Sequence, residues 1–244
     1  MTQRPWSLRW GILLVAIPLA AAVAVPPAGA GNVTPLLPDL VTLPITDPMI
    51  AHDRQTRRLE LRFSNRVANI GAGPMELRGV LDPDTNTTIA YQRIYRSDGS
   101  TTDREAGRFV FDGHHDHWHF DDFASYELRR SKASGTVGEM VAGSTKVTFC
   151  LMDSERVPDF VGGPEAPQFF CSPEVQGISV GWMDIYFRLL PGQSISLAGV
   201  KSGTYWLVSR ADPSGRIAEL RTDNNVAAVR IRIRKDQRRV KILK

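Results

Sequence analysis

Four of the five histidines in this 244-residue chain fall within six positions, His114-His115-Asp116-His117-Trp118-His119. His115, His117 and His119 alternate, so in an extended segment their rings project from one face. Three neutral imidazoles converging on a point make a first-row metal site, and imidazole suits Cu, Zn, Fe and Ni. A flat strand would hold the outer two Cα atoms roughly 13 Å apart. That is too far for nitrogens that must each lie about 2 Å from one ion. A metal site here therefore requires the backbone to bend or bulge, and Gly113 is placed to allow it. The bland alternative is a polar surface strand or loop that happens to be rich in histidine.

The elements that must carry this segment are strands. Arg58 to Ser64 alternates polar and apolar residues, as does Thr88 to Tyr95, which is the pattern of half-buried strands. Further extended pieces are expected at Asp39-Leu40-Val41, Met75 to Val80, Arg108 to Phe111, His119 to Arg130, Lys146 to Leu151, Ile178 to Leu190, Ser194 to Leu197, Gly203 to Arg210 and Val226 to Arg234. Turn signals separate them at Asp82-Pro83-Asp84, Ser97-Asp98-Gly99-Ser100 and Asp212-Pro213-Ser214-Gly215. Residues 31–53 are rich in proline and are expected to be mostly irregular. Residues 153–176, with four prolines, are expected to form a long loop. There is no amphipathic helical pattern. The fold class expected is all-β, a single β-sandwich domain with long irregular loops, spanning residues 31–236.

Residues 1–30 have the form of a secretory signal peptide. Arg4 and Arg9 supply the positive start, Gly11 to Val25 the apolar run, and Ala28-Gly29-Ala30 a small-residue cleavage site. The run is shorter than the ~20 residues a spanning helix needs, which favours cleavage over a retained anchor. No later segment could span a membrane, so the mature chain is expected to be secreted, periplasmic or at the cell surface. In an oxidising compartment Cys150 and Cys171 can form a disulfide closing a loop of about 20 residues, worth on the order of 3 kcal/mol; two free buried thiols are the alternative. The formal net charge of +4 falls to +2 without Arg4 and Arg9, too mild to argue for nucleic acid. Arg230 to Lys244 carries eight bases against one acid. The plain expectation is an edge strand with arginines facing water and a frayed basic tail at 237–244; the sharper one is a patch for polyanions or a membrane surface.

The histidine segment continues as His115-Asp-His117-Trp-His119-Phe-Asp-Asp122-Phe123, then Tyr126-Glu-Leu128. This resembles the copper-binding signature of the lysyl oxidase family. The resemblance extends to Leu37-Pro38-Asp39-Leu40-Val41, to Leu61-Arg62-Phe63 with Arg66-Val67-Ala68-Asn69, and to Lys146-Val-Thr-Phe149-Cys150-Leu151. It continues in Gln176 to Tyr186, Ile217-Ala218-Glu219 and Asn224-Asn225-Val226, and so covers roughly residues 37–234. It implies a copper-dependent amine oxidase with a self-made quinone. His115, His117 and His119 would bind Cu2+, and Lys146 and Tyr186 would join as lysine tyrosylquinone. The substrate would be a primary amine, either peptidyl lysine or a small amine. With O2 it would give an aldehyde, ammonia and hydrogen peroxide. The chemistry is reasonable, since an amine must become a Schiff base before its α-proton can leave, and a quinone supplies both the carbonyl and the electron sink. Taken without the resemblance, Lys146 is an ordinary strand-end lysine and Tyr186 an ordinary sheet aromatic.

Asp184 lies two residues before Tyr186, so in a strand both face the same side, and it is a candidate base for the α-proton. His114 is a candidate outer partner for the metal ligands. The resemblance also implies a calcium site that would clip the two chain ends together, matched here by Asp39, Leu40, Glu219, Asn224 and Asn225. One acidic position of that site is Arg221 in this chain, with Asp223 as the nearest replacement. Animal members of the family carry several disulfides, and the two cysteines here match members of two different bridges, so a Cys150–Cys171 pair would be new. Three rivals remain: a non-enzymatic copper- or zinc-binding β-sandwich protein, a zinc hydrolase with Asp116, Asp121 or Asp122 as base, and an adhesion or carbohydrate-binding module.

Overall fold

In the computed structural model the described residues are 32–53, 56–82, 87–113, 116–144, 147–236 and 238–243. The expected signal peptide and the turn at Asp82-Pro83-Asp84 lie outside them, wholly or in part. The described residues contain no helix, and therefore none long and apolar enough to cross a membrane. In chain order the strands are β1 (Pro35–Leu36), β2 (Leu40–Thr42), β3 (Thr46–His52), β4 (Leu59–Asn69), β5 (Met75–Asp82), β6 (Thr87–Arg96), β7 (Thr101–Asp112) and β8 (His117–Ser131). There follow β9 (Val137–Gly143), β10 (Val147–Phe149), β11 (Glu155–Arg156), β12 (Val175–Ile178), β13 (Trp182–Tyr186), β14 (Ser194–Ser196), β15 (Gly203–Ala211), β16 (Val226–Arg234) and β17 (Arg239–Ile242).

Two antiparallel sheets share one core. The smaller is built around β4. One flank of β4 pairs with β2 and then β3, and the other with β13 and then β14. With neighbours on both edges and a core beneath, β4 is buried almost continuously beyond Phe63, more so than simple alternation would suggest. The larger sheet runs β12-β5-β6-β7-β8-β15-β16-β17. Its longest strand, β8, pairs with β7 at His117 to Phe120 and with β15 from Ala124 onward. Between those two partners Asp122 takes φ 62°, a left-handed kink of the kind found at bulges. On the other edge β8 pairs with β10 and then β9. Phe63 of β4 and Tyr126 of β8 meet edge to face at 4.8 Å, joining the sheets at the centre. Each such large side chain, fully buried, contributes about 1.5–3 kcal/mol of transfer free energy.

The expected sandwich is thus present, with local differences. Thr46–His52 is a strand, not irregular chain. Its Pro48 is tolerated because β3 is an edge strand whose register shifts between Thr46 and Met49. The stretch expected at Ile178 to Leu190 is divided. Gly181 turns at φ 76°, where a Cβ would lie 2.5 Å from the Phe160 ring, and the strand ends at Tyr186. Cys150 and Cys171 are bridged, which ties down the mostly irregular segment between β11 and β12. The C-terminal end is not frayed, because Arg239–Ile242 pairs with β16 as a further strand.

Candidate active site

The histidine segment sits at the β7–β8 hairpin. The bend required by the sequence is made there: Asp116 takes φ 56° and its N–H donates to the Asp112 carbonyl at 2.8 Å. Asp116 supplies the left-handed conformation, whereas Gly113 does not. His114, His115 and Lys146 lie outside the described residues. His117 and His119 begin β8, two residues apart and therefore on one face. Their Nε2 atoms are 2.9 Å apart. Two nitrogens at that separation, each about 2 Å from an ion, subtend about 90° at it, so the pair fits adjacent positions of one metal.

His119 is buried, 4% exposed, and its other nitrogen is held from both flanking strands. Nδ1 lies 3.1 Å from the Thr148 hydroxyl on β10 and 3.4 Å from an Asp112 carboxylate oxygen on β7. An Nδ1–H donated to either partner leaves the Nε2 lone pair for a metal. Thr148 and Asp112 thus hold the His119 ring from two sides; His114, the expected outer partner, is among the residues outside the description. The His117 ring nitrogen and the sulfurs of Cys150 and Cys171 lie within 4.8 Å of one another. Those sulfurs are bonded to each other, so they are not thiolate ligands here.

Tyr186 ends β13, opposite Asn65 of β4. Its ring lies over Phe149, centroids 3.5 Å apart. As strand parity requires, Asp184 shares its face. The Tyr186 hydroxyl donates to the Asp184 carboxylate and lies 3.5 Å from the Cys150 carbonyl. Asp184 also accepts from the Ser154 hydroxyl at 3.1 Å and from the Met152 N–H at 3.3 Å. Burial pushes the Asp184 carboxyl up to about 7, because desolvation outweighs the hydrogen-bond donors that favour its charged form. Burial, then the charge of Asp184, holds the Tyr186 phenol well above its ordinary range. His117, His119, Asp184 and Tyr186 line one cavity of 610 Å³, together with Glu60, Asp112, Thr148, Phe149 and the disulfide.

A family model for lysyl oxidase matches residues 92–243. The chain belongs to the lysyl oxidase family. Similar relatives include lysyl oxidase homolog 2 of Xenopus laevis, 30% identical over 159 residues, which are 61% of this chain and 20% of that protein. Lysyl oxidase homolog 3 of Homo sapiens is 32% identical over 124 residues, 50% of this chain and 15% of that protein. The match thus spans about a fifth or less of the length of these curated relatives. The lysyl oxidase match includes the histidine segment, β10 and β13, and begins after the resembling segments at Leu37 to Val41 and Leu61 to Asn69.

The residues singled out for calcium also meet. Asn224 Nδ2 donates to Asp39 at 2.6 Å, Asn225 Nδ2 to Glu219 at 2.6 Å, and the Leu40 N–H to Glu219 at 3.0 Å. The Asn224 and Asn225 side-chain oxygens are buried and have no partner among the described residues. Burial is the main cause pushing Glu219 up to about 7. Asp223 does not join the cluster: it is exposed and pairs with Arg221 at 3.0 Å.

Proposed function

We propose that this chain is a secreted, copper-dependent amine oxidase that converts primary amines, as peptidyl lysine or small amines, to aldehydes. One amine, one O2 and one water would give one aldehyde, one ammonia and one hydrogen peroxide. The observation that carries the reading is that the histidine pair, the tyrosine and its buried carboxylate line a single cavity. His115, His117 and His119 would hold the copper. Bound copper would supply O2 activation for oxidising Tyr186, and the product of its joining to Lys146 would supply the carbonyl and the electron sink for amine oxidation.

The chain's own residues have definable tasks. Thr148 and Asp112 keep the proton on His119 Nδ1. Asp184 accepts the Tyr186 phenol proton, and with a pKa near neutrality it is suited to serve as base for the substrate α-proton as well. Phe149 covers one face of the Tyr186 ring and limits its contact with water. Asp112 puts a carboxylate in the cavity wall, which favours a cationic amine, while the Glu60 carboxylate there is paired with Arg62 at 3.1 Å. Calcium held by Asp39, Leu40, Glu219, Asn224 and Asn225 would join β2 to the segment preceding β16. The two orphaned amide oxygens support that assignment, since turning both amides over directs oxygen rather than nitrogen at the carboxylates. Peroxide release from aerobic enzyme supplied with n-butylamine or a lysyl peptide tests the activity. The expected result is turnover lost in Tyr186→Phe; equal turnover in that variant would contradict the reading.

A further inference from the structure

We propose that the C-terminal hairpin β16–β17 is a binding ribbon for an acidic polysaccharide. Arg232 stands directly opposite Lys241, and Arg234 directly opposite Arg239. All four side chains are exposed, while the alternate residues Ile231 and Ile233 enter the core. The four cations therefore form a two-by-two grid on the outer face. Spacing is about 6.8 Å along each strand and about 5 Å across the pair. Among the described residues none of the four forms an ion pair. The one acid of the segment Arg230 to Lys244, Asp236 in the hairpin turn, accepts from the Ser202 hydroxyl at 3.3 Å.

Like charges directly opposite on a ladder are destabilising. Guarding an edge strand against aggregation explains cations on β17. It does not explain Arg232 and Arg234 on the inner strand facing them. Since Arg230 to Lys244 holds eight bases and one acid while the whole chain has a formal net charge of only +4, the remainder is net negative. The positive charge is thus concentrated on this hairpin. The grid also borders a cleft of 300 Å³, lined by the four cations with Val240 and Leu243. A cleft admits an extended chain with repeated anionic groups better than a plane of lipid headgroups. With no aromatic residue in its lining, the cleft offers nucleic acid bases no stacking surface. Sulfated or carboxylated sugar polymers fit both conditions, and binding one would tether the enzyme to an acidic matrix.

The test is fluorescence anisotropy of the purified chain against a labelled heparin decasaccharide, labelled polygalacturonate, a single-stranded DNA of equal charge, and phosphatidylserine vesicles. Binding to at least one of the two glycans is expected, tighter than to DNA or vesicles and weakening steeply with salt. At about fivefold per cation, Arg232→Gln with Lys241→Gln should weaken glycan binding on the order of 30-fold. A control pair, Arg108→Gln with Lys132→Gln, should not. A melting temperature for the hairpin variant at or above that of the parent would show that the loss is not misfolding, because the substitutions relieve repulsion. Absent glycan binding, unchanged affinity in the folded hairpin variant, or tighter binding to DNA or vesicles would overturn the proposal.

Discussion

Asp184→Asn separates electrostatics from hydrogen bonding at the centre of the site. The carboxyl titrates near 7 in the folded chain, against an ordinary value of 3.8. A proton bound more tightly in the folded state stabilises the fold fully below the unfolded pKa, and that contribution is lost as pH rises through about 7. The difference amounts to on the order of 4 kcal/mol between acid and alkaline pH. The amide does not titrate, so the variant escapes this loss. It does incur another: three donors, from Tyr186, Ser154 and Met152, point at this carboxylate. One amide oxygen and an NH2 group cannot satisfy all three, which costs about 1–3 kcal/mol at any pH. Urea unfolding of metal-free protein should therefore find the variant less stable than the parent at pH 4.5 and equal or more stable at pH 8.5. Asp212 and Glu219, also raised by burial, cancel in the comparison. A stability gap that does not change with pH would refute the argument. In copper-treated protein, a variant that develops quinone colour but does not turn over would identify Asp184 as the substrate base. Loss of colour would assign it to cofactor formation.

Three further outcomes are expected. Thr148→Val combined with Asp112→Asn should lower copper affinity 10–100-fold by freeing His119 Nδ1, measured by chelator competition; unchanged affinity would contradict the support assigned to these residues. Replacing both Cys150 and Cys171 by Ser, across a separation of 21 residues, should cost about 3 kcal/mol in denaturant unfolding, and a loss well under 1 kcal/mol would show that the loop is held by other contacts. Calcium at about 100 times its Kd should add about 2.7 kcal/mol to the parent at pH 7.5 and nothing to Glu219→Gln. An equal gain in both would move the ion elsewhere.

Much of the sandwich is legible in local pattern. The first half of β6 and the second half of β16 alternate, and strand parity alone puts Asp184 beside Tyr186. Other features are not local. Thr148 reaches His119 only because β10 pairs with β8, 29 residues away in sequence. β3 is hidden by Pro48, which is harmless only on an edge strand. β9, with its glycines, and β17, with its charges, lack an apolar run and form because a longer strand offers them a partner. The histidine pair stands out through scarcity, since histidine is concentrated nowhere else. Lys146 and Tyr186 carry no such signal, and only family resemblance distinguishes them from ordinary sheet residues.

In the proposed function Tyr186, beside the histidine pair, becomes the site of amine chemistry. The most direct test is the visible spectrum of the copper-reconstituted protein, with and without phenylhydrazine. A band that shifts on hydrazine addition and is absent from Tyr186→Phe and Lys146→Ala is expected. Protein that binds copper tightly under aerobic conditions yet stays colourless and unreactive toward phenylhydrazine would contradict that function and leave a metal-binding β-sandwich.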